Sequence, residues 1–229
     1  MSMNRRFVLK GMALSGVAGM TMGSSLQALA SGVINPSAAP TTRPVLALVA
    51  ADAAEPLFLQ GASAAAGSQL QVQRLGRELD ALLGFEQQLR SGKPMRVIGL
   101  LDDARASLVL DMARSAGARV QWVGQHNSVR GTTRHHLLST SASEGCSRRL
   151  GRQLNGCGAG FQITEERQGS RALPRQMSAP ARTHAQAGDW AVSVGYLLAS
   201  LGARPAGAAP SASVGTPLTG SFVSFSIET

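Results

Sequence analysis

The chain has 229 residues, 22 basic against 13 acidic side chains, and a net charge of +9. That length suits one domain with a proper core and a tail, and with only six Phe, two Trp and one Tyr that core must be built from Leu, Val, Ile and Ala. The two cysteines form no C-x-x-C, which argues against an iron–sulfur cluster or covalent haem.

The first thirty residues read as an address. Arg5, Arg6 and Lys10 supply positive charge, and no acid precedes Asp52. A modestly apolar stretch runs from Gly11 to about Leu29, and Ala28-Leu29-Ala30 has the form of a cleavage site. Arg5-Arg6-Phe7-Val8-Leu9-Lys10 resembles the twin-arginine (Tat) export signal, in which Arg-Arg-x precedes two apolar residues and often Lys. Asn4 stands where that pattern usually has Ser or Thr. The resemblance implies recognition by the Tat export machinery, cleavage after Ala30 and passage of the folded domain into the periplasm. No transmembrane anchor would remain, since no later stretch offers the ~20 predominantly apolar residues of a span.

Residues 31–43 read as a flexible lead-in. An apolar run at 45–50 suits a buried strand, 55–66 a helix with Pro56 in its first turn, 70–75 an alternating strand and 77–90 a helix. The clearest unit follows. Residues 96–101 form a strand, Asp102 or Asp103 caps a helix reaching 112–116, Gly117 suits its C′ position, and 119–123 form the next strand. This βαβ pattern implies parallel strands. A strand at 135–139, a helix opened by a Ser141-x-x-Glu144 capping box and ending near Asn155, and a strand at 161–165 come next. Residues 168–188 read as a long basic loop, 190–201 as an apolar helix, and 203–220 as a low-complexity linker. Residues 221–229 return as a strand, either an edge strand of the same sheet or a docking strand for another protein. The expected fold is α/β: a single three-layer domain spanning 44–202, with an open, mostly parallel sheet of Rossmann-like βαβ units, followed by a flexible C-terminal segment with a terminal strand.

Ligands of open parallel sheets sit beyond the strands' carboxyl ends, where Asp52, Asp102, Asp103 and His126 are expected. Asp102, Asp103 and His126 are the catalytic candidates, and a helix cap is the competing role for either aspartate. The start of this unit looks like a bacterial receiver domain, but no Asp lies between Asp111 and Asp189 and no Lys follows Lys93, so phosphotransfer is rejected. Gly156-x-Gly158-x-Gly160 follows a helix and reads as a turn, and neither a P-loop nor a G-x-S-x-G elbow is present. Cys146 and Cys157 are candidates for a disulfide if the helix between them is short and the chain turns back, and otherwise stay separate free thiols. The sharper alternative joins His126, His135, Cys146 and Cys157 in a zinc or copper site. His135 and His136 point to opposite faces of a strand, so only one can contribute. No cofactor is expected beyond such a metal.

Cleavage takes three basic residues with it and lowers the net charge from +9 to +6. The remaining excess is confined to 130–182, where nine arginines face Glu144, Glu165 and Glu166. This region is either a solvated basic face or the contact for an anionic ligand or a protein partner, with no specific nucleic-acid binding. The functional expectation is an exported, non-catalytic accessory or binding component. The alternative is a small periplasmic hydrolase or metal-dependent enzyme working with Asp102, Asp103 and His126.

Overall fold

The computed structural model describes residues 43–52, 54–76, 80–129, 132–182, 189–202, 209–212 and 218–229. The export-signal residues and the lead-in through residue 42 lie outside that set, as does most of the 203–220 linker. The elements in chain order are β1 (Val45–Val49), α1 (Glu55–Ala66), β2 (Leu70–Arg74), α2 (Asp80–Arg90), β3 (Arg96–Leu101), α3 (Asp103–Ser115), β4 (Arg119–Val129), β5 (Thr132–Ser139), α4 (Cys146–Gly156), β6 (Gly160–Arg167), β7 (Arg175–Ala179), α5 (Asp189–Ala199) and β8 (Gly220–Glu228). All eight strands join one sheet in the order β2-β1-β3-β8-β4-β5-β6-β7.

The fold is α/β, with a correction to the strand directions. Only β1–β2, β1–β3 and β5–β6 pair in parallel. The other four pairings, β3–β8, β8–β4, β4–β5 and β6–β7, are antiparallel. The cause is β8. It lies between β3 and β4 and runs opposite to both, so the βαβ unit of β3, α3 and β4 keeps its parallel sense without its strands touching. The terminal strand is therefore neither an edge strand nor a docking strand; its neighbours occupy both its edges.

The local signals explain the helix ends. Asp102 is the N-cap of α3, its side chain accepting from the Arg105 backbone N–H at 3.0 Å. At the other end Gly117 takes φ +76°, and the Gly117 and Ala118 amides close onto the carbonyls of Arg114 and Ala113, the Schellman pattern. The Ser141-x-x-Glu144 capping box does not form. Thr140 instead caps a 3₁₀ turn over Ser141–Ser143, and Glu144 turns outward to pair with Arg167 at 2.7 Å. The loop expected at 168–188 contains β7, whose flanking Pro174 and Pro180 stop it from extending.

Two apolar clusters lie on opposite faces of the sheet. One joins α1, α4 and α5 to residues such as Val45, Ile98, Trp122, Leu137 and Ile163. The other joins α2 and α3 to Leu46, Leu48, Val97, Val223, Phe225 and Ile227. The second cluster stops at β4. Beyond it that face of the sheet is open and mostly polar, with Gln125, Arg134, His136, Gln162, Glu166 and Gln176 exposed alongside Val129 and Leu138. Helix α5 is buried along its whole length, as expected of a helix that is apolar all round, and it touches both α1 and α4.

Candidate functional site

The α5 face of the sheet carries a buried polar line that apolar periodicity does not reveal. A bulge between Val120 and Trp122 shifts the register of β4 on β8. Before it, Val120 belongs with the α2/α3 side; after it, Trp122, Gly124, His126 and Ser128 are the buried alternate residues. Strand β8 is apolar toward α2 and α3 but presents Ser224 toward Trp122, whose indole N–H donates to the Ser224 hydroxyl at 3.0 Å. Ser224 lies 2.7 Å from His126 Nε2, His126 Nδ1 lies 2.7 Å from His135 Nδ1, and His135 Nε2 lies 2.9 Å from the Thr133 hydroxyl. Thr133 donates onward to the Gly160 carbonyl at 3.3 Å.

The chemistry of the two ends fixes the direction of this line. An indole only donates and a carbonyl only accepts. The Ser224 hydrogen therefore goes to His126 Nε2, His126 carries its proton on Nδ1 and donates to His135, and His135 carries its proton on Nε2 and donates to Thr133. Both rings are neutral in this arrangement and every hydrogen is used. Trp190 of α5 stacks on His126 with centroids 4.9 Å apart. Gly124 leaves the necessary room, since a Cβ there would come within 2.8 Å of both His126 Nε2 and Ser224 Oγ.

His126 and His135 are thus brought together, but at 1% and 2% exposure they face no solvent. His126 lies in the middle of β4 rather than after a strand, because β4 continues to Val129. Burial, and secondarily repulsion from His135, holds His126 well below its usual pKa; burial lowers His135 to about 3. His136 points to the opposite face and meets Glu166 at 3.0 Å. The strand-end acids are engaged in capping. Asp52 accepts from the amides of Ala54 and Glu55, Asp102 holds the Arg105 amide and guanidinium, and Asp103 occupies the exposed first turn of α3. Burial raises the Asp102 carboxyl, but the Arg105 contacts outweigh it and the net shift is downward.

The expected disulfide is corrected: Cys146 and Cys157 are both free. Helix α4 runs between them without turning back, which sets their Cα atoms ~16 Å apart at the helical rise, far beyond the reach of a bridge. Neither cysteine joins the histidines, and among the described residues no three His, Cys, Asp or Glu side chains are grouped to hold a metal ion. Sequence reasoning also missed Glu165, buried on β6 and held by the hydroxyls of Ser139 at 2.8 Å and Ser147 at 2.5 Å. Its alternation with Phe161 and Ile163 was the available signal.

One accessible feature is a cavity of about 510 Å³ between α4 and α5, within the usual range for small-molecule sites. Arg149, Arg152, Gln153 and Cys157 line it from α4 and the turn after it, Asp189 and Ser193 from α5, and Ala209–Ser211 close it. Among the described residues neither Arg149 nor Arg152 forms an ion pair. The Gln153 Oε1 atom is buried without a hydrogen-bond partner. Asp189 is buried, one carboxylate oxygen accepting from the Ala212 amide at 2.7 Å. Burial pushes the Cys157 thiol up to about 11, so it stays protonated and is a poor nucleophile. No family model, characterised protein or solved structure matches this chain.

Proposed function

We propose that this protein is an exported periplasmic α/β protein that acts as a non-catalytic accessory or binding component, taking a small anionic ligand in the α4–α5 cavity. The observation that carries the reading is Arg149 and Arg152: two guanidinium groups on one cavity wall without a carboxylate partner among the described residues. They lie within the 130–182 segment that holds the chain's net positive charge. Guanidinium groups are suited to bidentate contacts with carboxylate or phosphate. Export rests on the Arg5-Arg6-Phe7-Val8-Leu9-Lys10 signal, and no helix among the described residues is long and apolar enough to cross a membrane. The enzyme alternative draws no support from Asp102, spent on a helix cap, or from His126, sealed beneath Trp190.

Native mass spectrometry of protein recovered from the periplasm tests both halves. The expected species is residues 31–229 carrying a non-covalent anionic small molecule, and the R149Q/R152Q variant loses that molecule. A precursor that stays cytoplasmic with both arginines of the signal intact overturns export. A ligand retained by the double variant overturns the assignment of the cavity.

A further inference from the structure

The same cavity carries more than positive charge. The Asp189 carboxylate of α5 lines it together with the two arginines of α4. No ion pair joins Asp189 to either arginine, so opposite charges share one space without cancelling each other directly. A purely anionic ligand would satisfy the guanidinium groups but bring its charge near a buried carboxylate. A ligand with an anionic end and a cationic, hydrogen-donating end satisfies both the guanidinium groups and the carboxylate.

We propose that the α4–α5 cavity is a zwitterion site for a free α-amino acid or short peptide. The ligand carboxylate lies on Arg149 and Arg152, and its ammonium is directed to Asp189. Ser193 and the Ala209–Ser211 segment complete the wall. The inference rests on the reading of this cavity as an anion-binding site and adds the second charge. It requires no reaction, in keeping with the protonated Cys157 thiol.

Calorimetric titration of the protein, freed of bound ligand, tests the assignment. The probes are a panel of L-amino acids and the dipeptide Ala-Ala, together with their N-acetylated forms, which lose the ammonium, and their amides, which lose the carboxylate. The expected result is that at least one zwitterionic probe binds, that both its blocked forms bind at least tenfold more weakly, and that Arg152→Gln weakens it by a similar factor. Asp189→Asn, which keeps the side-chain shape and an acceptor for the Ala212 amide but removes the charge, is expected to weaken the zwitterion severalfold and leave the N-acetylated form unchanged. Equal binding of the zwitterion and its N-acetylated form overturns this inference and leaves the anion site standing. If no probe carrying a carboxylate binds, both fall.

Discussion

At the residue scale, the His126–His135 pair makes a pH-dependent contribution to stability whose sign follows from burial. Both rings are neutral in the folded protein, with His135 lowered to about 3 and His126 also held well below its ordinary value. In the unfolded chain both titrate near 6.5. Their contribution is fully present above that value, and it is lost as pH falls from 6.5 toward the folded values, because there the unfolded chain binds protons that the native one refuses. At pH 5 this amounts to about 2 kcal/mol for His135, from about 1.4 kcal/mol per pH unit, and the lowered His126 adds to it in the same direction. Urea denaturation at pH 7.5 and pH 5.0 measures it. A drop of several kcal/mol is expected in the wild type and in His136→Gln, whose ring is exposed on the other face. Equal stability at the two values would show that the rings accept protons in the folded state.

At the scale of elements, the contact between α1 and α5 depends on two missing side chains. A Cβ on Gly61 would lie 1.9 Å from the Val192 carbonyl oxygen, and one on Gly195 would lie 2.1 Å from that of Phe58. The helices cross backbone against backbone, and either alanine pushes them apart. Gly61→Ala and Gly195→Ala are each expected to cost at least 1–3 kcal/mol, the range for overpacking a filled core. Gly84 in α2 is the control. Its Cβ would meet nothing within 4 Å, so Gly84→Ala is expected to stabilise by about 0.5–1 kcal/mol. Chemical denaturation of the three variants decides, and a destabilisation of Gly84→Ala matching the other two would remove the crossing as the cause.

Elements with apolar periodicity were legible in the sequence: α1 spans the expected 55–66 and β3 the expected 96–101. Strand β4 was read only to Val123 because its buried residues beyond that point are Gly124, His126 and Ser128. A period of two is present there, but polar groups satisfied by one another carry it, and an apolar pattern cannot register them. The same blindness hid the relay and its partner Ser224. Strand β7, with only Met177 and Ala179 turned partly inward, gave no apolar signal at all. Asp102 was readable as a cap because a capping bond is local. The α4–α5 cavity was not readable, since Arg152 and Asp189 meet there only through the tertiary packing of two helices far apart in sequence.

At the scale of the whole molecule, β8 decides whether there is one sheet or two. It pairs with β3 over Arg96–Leu101 and with β4 over Arg119–Ser128, and its Phe225 ring occupies the space left by Gly99 directly across the pair. Arg96 and Arg43 both clamp its Glu228, at 2.8 and 2.9 Å. Without this strand, β2-β1-β3 and β4-β5-β6-β7 would face each other with open edges, and the Trp122–Ser224–His126 line would be cut at its middle. Such edges are sites for misassembly. The export of a folded domain proposed above requires this segment to be in place beforehand. A chain ending at residue 217 is expected to lack a cooperative thermal transition, and a synthetic peptide of residues 218–229 added during refolding is expected to restore one. Peptide rescue separates a missing central strand from general damage to the chain. A truncated protein that melts cooperatively within a few degrees of the full chain would mean that the two halves of the sheet close on their own.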